Sequence, residues 1–440
     1  MDKTDNIQRI QRRNRSVKAA LLGLGTVGMG VYRVLRMQED EMEDKLGSRV
    51  ELKYILIRNR EKAAKKVTDP SPLTTSWETI LQDGEVEVVI ELMGGIEPAK
   101  TYILEALRTG KHVVTANKDL MASHGQELLD TARDHGCDLF FEAAVAGGIP
   151  IIRPMKQCLA GNHITELMGI FNGTTNFILT RMAQDGMEFE QALRLATDLG
   201  YAEADPTADI EGLDAGRKVA ILASIAFHSR VTFTDVYMEG IANITATDIK
   251  YAREMGCSIK LLGVARQTRE GIEARVHPML IDSSHPLSSV NDSYNAVFLK
   301  GDAVQDVMFY GRGAGELPTA SAVVGDLFEV IRNIHAGCCG KLGCTCYKNL
   351  PMKPMERIAS KYFIRMQVED RFGVLASVSS ILGNNCISIS QMLQKKKTGD
   401  SAEIVLITDA VEERHIRDAM KVFDEMSIIQ SISSLIRVYG

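Results

Sequence analysis

The chain has 440 residues, of which 45% are hydrophobic and 25% charged, and its formal net charge is −6 at pH 7. These values are typical of a globular protein with more than one domain, and the acidic balance argues against a general nucleic-acid-binding protein. No apolar run is long enough to cross a membrane, and no signal-peptide core follows the basic stretch Arg9–Lys18. We therefore expect a cytoplasmic protein with no membrane partner, in which this stretch is a solvated tail rather than a binding arm.

The first predicted strand, residues 17–24, leads into the motif GLGTVG at residues 23–28 and a predicted helix over 27–40. Glycines at this position let the backbone turn tightly and approach a pyrophosphate, which the N–H groups of the helix N-terminus then bind. The motif alone is a weak signal, and a purely structural turn is the alternative. Its place between a strand and a helix favours a dinucleotide site.

The second predicted strand, residues 50–57, ends in ILIRNR. A site that prefers NAD usually has a carboxylate here to bind the ribose hydroxyls, and this sequence has Arg58 and Arg60 instead. A guanidinium suits a 2′-phosphate. The sequence therefore predicts NADP, with NAD as the alternative and Arg58 as the first contact; a surface role at the strand end is the competing interpretation.

Strands and helices alternate through the rest of the first 150 residues, with strands predicted over 86–92, 111–116 and 138–148 and helices over 99–110 and 124–136. This order predicts a parallel sheet covered on both faces. Lys118, in the stretch TANKDL, follows the strand 111–116 at its carboxyl end, where ligands of such sheets collect.

Residues 151–311 mix helical segments with alternating, strand-like stretches, which predicts an α+β layer. The stretch LGYAEADPTADIEGLDAGRK, residues 199–218, concentrates charge just before an apolar helix predicted over 212–228. Asp214 and Lys218 are four residues apart and share one helix face. An exposed salt bridge is the ordinary interpretation, but burial of this helix would make the pair costly unless it has a function.

The last 80 residues, 361–440, show the order strand, helix, strand, strand, helix, strand, which is typical of a ferredoxin-like fold. The sequence thus predicts a dinucleotide-binding domain over 1–150, completed by about 312–335, and an α+β domain over 151–311. A linker over 336–360 and a ferredoxin-like domain over 361–440 follow.

The linker contains the motif CCGKLGCTC, with Cys338, Cys339, Cys344 and Cys346. Four cysteines in one short segment suggest a metal site, but zinc sites usually use pairs separated by two to four residues. We favour a flexible linker with exposed thiols, in which the cysteines form a redox-sensitive hinge.

At the level of whole motifs the chain resembles the monofunctional homoserine dehydrogenases with a C-terminal ACT-type regulatory domain. The matching stretches are GLGTVG, TANK, EAAVAGGIPIIRP, GIFNGTTNFIL, LGYAEADPTADIEGLDAGRK and GRGAGELPTASAVVGD, which lie within residues 1–335. The resemblance implies an oxidoreductase that interconverts L-aspartate 4-semialdehyde and L-homoserine with NAD(P), in the biosynthesis of threonine, methionine and isoleucine.

The resemblance implies that residues 151–311 form a substrate-binding and dimerisation domain and that residues 361–440 form the ACT regulatory domain. It also implies roles for single residues. Lys218 is expected to donate the proton to the aldehyde, with Lys118 near the cofactor and the reacting carbon; a lysine near a developing oxyanion can do this chemistry. The expected substrate contacts are Glu203, Asp209 and Asp214. The expected cofactor contacts are Gly23, Gly25, Thr26, Val27, Gly28, Arg58, Lys118, Gly200, Glu203 and Gly315. A monovalent cation, Na⁺ first, is expected at Glu142, Val145, Gly147 and Ile149.

In the regulatory domain, the helix start at Gly373 suits a carboxylate and the neighbouring Asp370 an ammonium, so an amino-acid effector is expected there. L-threonine is the first choice, and a domain that only holds a homodimer or homotetramer together is the alternative. Two other protein classes compete. A semialdehyde dehydrogenase would need a reactive cysteine with a histidine partner, and a non-enzymatic sensor would leave Lys118 and the acidic block unexplained.

Overall fold

The computed structural model describes residues 16–341, 343–396 and 401–440. The described chain divides into two compact units, the first built from residues within 1–162, 220–233 and 309–348 and the second from 163–219, 234–308 and 349–440. Most of the basic N-terminal stretch lies outside the described residues, as do residues 342 and 397–400. No helix among the described residues is long and apolar enough to span a membrane.

The helices of the first 200 residues are α1 (Thr26–Met37), α2 (Glu39–Leu46), α3 (Arg60–Ala64), α4 (Trp77–Gln82), α5 (Ala99–Arg108), α6 (Lys118–Asp134), α7 (Ile152–Lys156), α8 (Gly173–Asp185) and α9 (Phe189–Asp198). The later ones are α10 (Thr207–Ile210), α11 (Leu213–Phe227), α12 (Ala246–Glu254), α13 (Glu316–Ala336), α14 (Val374–Asn384) and α15 (Glu413–Glu425). Short 3₁₀ turns lie at Glu142–Ala144, Phe233–Asp235, Pro286–Ser289 and Met355–Arg357.

The strands of the first unit form a parallel sheet in the order β3-β2-β1-β4-β5-β6. They are β1 (Ser16–Leu22), β2 (Arg49–Leu56), β3 (Leu73–Thr74), β4 (Val86–Glu91), β5 (His112–Thr115) and β6 (Leu139–Phe140). This strand order is that of a Rossmann fold, whose ligands bind at the carboxyl ends of the strands beside β1 and β4. The predicted parallel sheet is confirmed.

Helix α13 completes this unit by packing against α1. Val31 and Leu35 share a buried core with Ala320, Val323 and Leu327, and the helices approach closely because residue 30 is glycine. A Cβ at Gly30 would lie 3.0 Å from the Cβ of Ala320.

Two predicted elements of this unit differ in extent. Helix α6 begins at Lys118 instead of residue 124, because the Asn117 side chain caps it by accepting from the Leu120 N–H at 3.1 Å. The strand expected over 138–148 is limited to Leu139–Phe140, and a 3₁₀ turn at Glu142–Ala144 replaces the rest.

The second sheet runs in the order β12-β11-β7-β9-β10-β17-β13-β15-β14, with β8 paired to β10 and β16 to β13. Its strands are β7 (Ile164–Ile170), β8 (Tyr237–Met238), β9 (Cys257–Thr268), β10 (Gly271–Asp282), β11 (Tyr294–Gly301), β12 (Gln305–Arg312), β13 (Ala359–Glu369), β14 (Ile389–Lys396), β15 (Ser401–Thr408), β16 (Val411–Glu412) and β17 (Ile429–Val438).

The C-terminal segment has the predicted strand and helix order, and its four long strands lie as β17-β13-β15-β14. This arrangement confirms the ferredoxin-like topology. The segment is also joined to the rest of its unit, since β17 pairs in parallel with β10 through Met279 opposite Arg437 and Leu280 opposite Val438.

Candidate active site

The glycine loop follows β1 directly. Gly23 has a φ of +98°, and a Cβ there would lie 2.9 Å from the Leu92 carbonyl oxygen, so packing within the protein requires this glycine. Gly25 differs, because a Cβ there would meet no atom within 4 Å, and its backbone immediately precedes α1. Open space above a helix N-terminus is what a bound pyrophosphate needs. Thr26 is the exposed first residue of α1, followed by the half-buried Val27 and the buried Gly28.

A cleft opens at the carboxyl ends of β1, β2 and β4, beside this loop. Arg58, the expected cofactor contact, lines this cleft. Lys62 in α3 and Lys66 just after it also line it, and the sequence pattern did not single them out. Arg60 is not among its lining residues. The lining residues are Gly23, Leu24, Gly25, Leu56, Ile57, Arg58, Asn59, Lys62, Ala63, Lys66, Thr75, Leu92, Met93, Pro98 and Tyr102. The charged side chains of this described lining are all cationic, which suits a phosphorylated ribose better than a bare one.

Lys118 is the half-buried first residue of α6, at the carboxyl end of β5. A polar network orders this end of the sheet. The buried Glu91 carboxylate accepts from the Met93 N–H at 2.7 Å and from the Thr115 hydroxyl at 2.7 Å. The Asn117 side-chain amide donates to the Gly95 carbonyl at 2.6 Å. Sequence reasoning did not identify this network, although a polar residue at the end of each of two apolar strands was the available signal.

The second cluster lies in the other unit and is built around Lys218 on α11. The Lys218 ammonium donates to the Asp214 carboxylate at 2.7 Å and to the Phe171 carbonyl, just after β7, at 2.6 Å. Both charged side chains are buried, Asp214 to 4% and Lys218 to 8% exposure. The expected pairing on one helix face is therefore present, and it is not an exposed salt bridge. A buried pair of this kind is costly to desolvate and is retained where its charges are used.

Asn172 holds the cluster together. Its side-chain oxygen caps α8 by accepting from the Thr175 N–H at 2.9 Å, which fixes the direction of its amide. That amide donates to Asp214 at 2.9 Å and to Asp209 at 2.7 Å. Burial raises the pKa of Asp209, and the neighbouring charge of Asp214 adds to the effect. The stretch NGTTN thus both starts a helix and positions two carboxylates.

The two remaining residues expected on this side lie apart from the hydrogen-bonded cluster. Glu203 is exposed on the loop that follows α9, and Gly200, in the same loop, has a φ of +77°. In the described chain no side-chain hydrogen bond links Glu203 to the Asp214–Lys218 pair. Asp205, two residues on, accepts from the Thr207 N–H at 3.1 Å, just before α10 begins.

The expected cation loop, residues 142–149, packs in the first unit beside the stretch that carries Gly315, the residue immediately before α13. The Gly148 N–H donates to the Arg312 carbonyl at 3.1 Å, and Gly315 has a φ of +118°. Within the described residues, no protein donor bonds the carbonyl oxygens of Val145, Gly147 or Ile149, which suits them as cation ligands.

Glu142 is used differently from the expectation of a simple ligand. Its buried carboxylate accepts from the N–H groups of Ile152 at 2.7 Å and Arg153 at 2.8 Å, and also from that of Ile151. It therefore caps α7, and little of its acceptor capacity is left for an ion. Asp326 lies beside it and accepts from the Glu142 N–H at 2.7 Å and from the Arg153 guanidinium at 2.8 Å. Burial raises the pKa of Asp326 to about 7.

The cysteines of the motif CCGKLGCTC do not assemble into one metal site in the described part of the chain. Cys339 lies near His112 and Asp138, with its potential ligand atom within 4.8 Å of theirs. However, the His112 Nδ1 atom accepts from the Asp138 N–H at 3.0 Å, so a neutral ring carries its proton on Nε2 and has no second lone pair for a metal. Cys344 and Cys346 line a different pocket, described below.

The expected effector residues lie at the start of α14. Gly373 precedes the helix with a φ of +84°, and Asp370 is exposed three residues earlier. Phe372 between them is fully exposed.

The environment of Cys137 does not support the alternative of a semialdehyde dehydrogenase with a cysteine nucleophile. Burial raises the pKa of Cys137 to about 11, whereas a cysteine nucleophile needs a lowered pKa. Cys158 is exposed.

A Rossmann sheet with an open glycine loop, together with a buried lysine–carboxylate pair, defines a nicotinamide-nucleotide-dependent dehydrogenase. Family models agree: "Homoserine dehydrogenase, NAD binding domain" matches residues 23–142 and "Homoserine dehydrogenase" matches residues 150–328. The chain belongs to the homoserine dehydrogenase family, whose members are NAD(P)-dependent oxidoreductases.

Relatives are similar over nearly their whole length. The homoserine dehydrogenase of Bacillus subtilis is 42% identical, with 97% of this chain and 99% of the relative covered. That of Corynebacterium glutamicum is 44% identical, with 96% of each covered. The crystal structure of a homoserine dehydrogenase from Thiobacillus denitrificans superposes with a TM-score of 0.92 at 41% identity, covering 97% of this chain and 99% of that one.

Proposed function

We propose that the chain interconverts L-homoserine and L-aspartate 4-semialdehyde, with NADP as the preferred cofactor, through Lys218 as the proton donor and acceptor. The observation that carries this assignment is the buried ammonium of Lys218, held between Asp214 and the Phe171 carbonyl. A charge fixed in a low-dielectric site acts strongly on a developing oxyanion, and it costs no reorganisation when the reaction occurs.

In this proposal the nicotinamide supplies the hydride and the protein supplies the proton. As the aldehyde is reduced, negative charge grows on its oxygen, and Lys218 stabilises that charge and transfers a proton to it. Asp214 and the Phe171 carbonyl keep the ammonium in one orientation. In the reverse direction the neutral amine accepts the hydroxyl proton of homoserine.

Carboxylates recognise the substrate's α-ammonium group in the proposed complex. Asp209 is positioned for this by the Asn172 amide, and Asp214 shares that amide. Glu203, on an exposed loop, is proposed to join the substrate and cofactor contacts when both are bound.

The cofactor assignment rests on the cleft beside the glycine loop. We assign Gly23, Gly25, Thr26, Val27 and Gly28 to the pyrophosphate. Arg58 is assigned to the 2′-phosphate of NADP, and the cationic Lys62 and Lys66 in the same lining support it. Lys118, Gly200 and Gly315 are proposed as further cofactor contacts.

The proposed cation, Na⁺ first, is held by the carbonyl oxygens of Val145, Gly147 and Ile149. Glu142 contributes mainly through its negative charge, since three backbone N–H groups already bond its carboxylate. Replacing Na⁺ by a bulky organic cation in the assay is expected to lower activity, and full activity under those conditions would contradict the assignment.

The test of the reaction is to mix the protein with homoserine and NADP and to follow the absorbance of the reduced nicotinamide. Homoserine-dependent reduction supports the proposal. Activity that requires phosphate and the semialdehyde instead would favour an acylating enzyme, and binding without turnover would favour a sensor.

The test of the residue is Lys218→Ala. We expect kcat to fall about 10²-fold or more, the usual contribution of a general acid, while the Kd for NADP changes little. A kcat within about threefold of the wild type would contradict the assigned role.

We further propose that residues 361–440 form an ACT-type regulatory domain in a homodimer or homotetramer, which responds to an amino acid, L-threonine first, at Asp370 and Gly373. The ferredoxin-like strand order supports this. Threonine is expected to inhibit the wild type and to inhibit Asp370→Asn much less, with Asp409→Asn as an exposed control in the same domain. Equal inhibition of all three proteins would place the effector elsewhere.

A further inference from the structure

Cys344 and Cys346 line a pocket of the first unit that the reaction above does not use. Its apolar wall comes mainly from α6 and from the C-terminal half of α11, and two cations, Lys156 and Arg230, complete it. The lining residues are Met121, Ala122, Ser123, Gly125, Gln126, Leu129, Phe141, Lys156, Ile221, Ser224, Ile225, Arg230, Val231, Cys344, Thr345 and Cys346. Both thiols are half-buried and unbridged.

The chain turns back on itself at Thr345, which directs the Cys346 backbone N–H to the Cys344 sulfur at 3.4 Å. The Cys346 thiol donates to the Ser224 carbonyl oxygen at 3.7 Å. Lys156 anchors the same segment by donating to the Gly343 carbonyl at 3.1 Å. A backbone N–H group and a nearby ammonium thus lie beside the Cys344 sulfur.

This environment favours ionisation of one thiol and not the other. The Cys346 thiol is the largest cause that lowers the pKa of Cys344, and the Cys346 backbone N–H and the charge of Lys156 add to it. Burial and the charge of Asp130 act in the opposite direction, but the net shift is downward. The same pairing raises the pKa of Cys346, which therefore keeps its proton. A thiolate beside a protonated thiol is the arrangement of a nucleophile and a resolving cysteine.

We propose that Cys344 and Cys346 form a thiol-modification site, in which Cys344 attacks an anionic low-molecular-weight disulfide and Cys346 resolves the product. The two cations of the pocket, Lys156 and Arg230, select an oxidant that carries carboxylates, as glutathione disulfide does. The inference is independent of the dehydrogenase reaction and of its residues.

The proposed reaction consists of two successive thiol–disulfide exchanges. The Cys344 thiolate displaces one half of the small disulfide as a thiolate, which leaves a mixed disulfide on Cys344. The Cys346 thiol then loses its proton to solvent and attacks the Cys344 sulfur, which releases the second half as a thiolate. The net change is oxidation of two protein thiols to one disulfide and reduction of one small disulfide to two thiols.

The same two residues do not suit a metal as well. Together with Cys338 and Cys339 they form no common cluster in the described chain, and a pair of sulfurs alone leaves a zinc ion two ligands short.

The first experiment measures alkylation of each cysteine by iodoacetamide, using peptide mass spectrometry on the full-length reduced protein. The exposed Cys158 is the internal control. An ordinary thiol with a pKa of about 8.5 loses about 25-fold in thiolate between about pH 8 and about pH 6.5. We expect a loss of less than about threefold at Cys344. A loss of about 25-fold at Cys344, as for an ordinary thiol, would overturn the proposal.

The second experiment treats the wild type, Cys344→Ser and Cys346→Ser with glutathione disulfide and maps the products. The wild type is expected to lose two hydrogen atoms in the peptide that holds both cysteines, and Cys346→Ser to retain glutathione on Cys344. Cys344→Ser is expected to form neither the internal disulfide nor a mixed disulfide with glutathione. Dehydrogenase activity of each reduced variant reports that it is folded.

Charge variants of Lys156 test whether the reactivity of Cys344 depends on the ammonium charge or only on the accessibility of the thiol. Lys156→Met is expected to make the pH dependence of Cys344 alkylation measurably steeper, because it removes one of three causes that lower the pKa of Cys344, whereas Lys156→Arg retains the flat profile. A stable disulfide formed by Cys338 and Cys339 instead, or no glutathione retained by Cys346→Ser, would overturn the assignment.

Discussion

Asp214→Asn is the most informative single change in the proposed site, because it removes one charge and almost no volume. The carboxylate accepts from Lys218 at 2.7 Å and from Asn172 at 2.9 Å, and both members of the ion pair are buried. Removing one partner of a buried pair costs about 3–5 kcal/mol, because the other charge stays buried without compensation. The asparagine amide retains an acceptor oxygen, so we expect about 3 kcal/mol of lost unfolding free energy.

The catalytic effect of this variant is expected to be larger than its effect on substrate binding. Without the carboxylate the ammonium is no longer held in one direction, and kcat is expected to fall about 10²-fold, toward the loss of the general acid itself. Urea unfolding measures the stability, and initial rates with saturating homoserine and NADP measure kcat. Asp205→Asn is the matched control, since Asp205 is exposed and bonds only its own turn; it is expected to cost about 1 kcal/mol or less.

A double variant separates stability from catalysis. Asp214→Asn/Lys218→Met removes both charges, and replacing a whole buried pair is often neutral for stability. We expect it to regain most of the lost unfolding free energy and none of the activity. If Asp214→Asn alone stays within about 0.5 kcal/mol and about threefold in kcat of the wild type, the buried pair does not have the role argued for it.

Two further predictions concern the first unit. Arg58→Asp is expected to lower the ratio of kcat/KM for NADP to kcat/KM for NAD by about 10-fold or more, because a charge-assisted hydrogen bond contributes about 1.5–3 kcal/mol. The control Arg60→Asp, outside the cleft lining, is expected to change this ratio little. Equal ratios for the two variants would contradict the assignment of Arg58. In the folded protein the pKa of Asp326 is about 7, above its ordinary 3.8, so the free energy of unfolding falls as pH rises from about 4 to about 7 and the unfolded state ionises first. Asp326→Asn cannot ionise, and its free energy of unfolding, measured in urea, is expected to rise relative to that of the wild type over this pH range. Parallel pH curves for the two proteins would contradict the prediction.

Local pattern was sufficient for much of this fold. The glycine loop, the parallel strands and the C-terminal βαββαβ order follow from periodicity and turn residues, and the spacing of Asp214 and Lys218 placed them on one helix face. The pattern did not reveal that Asn172 joins Asp209 to Asp214, because that contact links α8 to residues 37 and 42 positions later. Long-range hydrogen bonds of this kind leave no periodic signal.

Glu142 also has long-range contacts that the sequence pattern does not reveal. The family resemblance implies a cation ligand at this residue, and the structure adds that N–H groups at the start of the next helix bond its carboxylate. Lys62 and Lys66 are another case. In the sequence they resemble ordinary surface lysines in and after a short helix. The cleft that they share with Arg58 is what supports their proposed part in binding the 2′-phosphate.

The C-terminal domain is connected to the rest of its unit by buried charges as well as by a shared sheet. Arg365 on β13 donates to Asp248 on α12 at 2.8 Å, and Arg437 on β17 donates to Glu239, just after β8, at 2.6 Å. Both guanidinium groups are buried. If these pairs separated, Arg365 would still pair with Glu403 and Arg437 with Glu413. Asp248, which is fully buried, would lose Arg365, and removing one partner of a buried pair costs about 3–5 kcal/mol. Under the proposed regulation, a shift of this domain must therefore move α12 with it or break the Arg365–Asp248 pair. A coupling of about 1–3 kcal/mol, the usual size for an allosteric effector, is smaller than that cost and favours concerted movement.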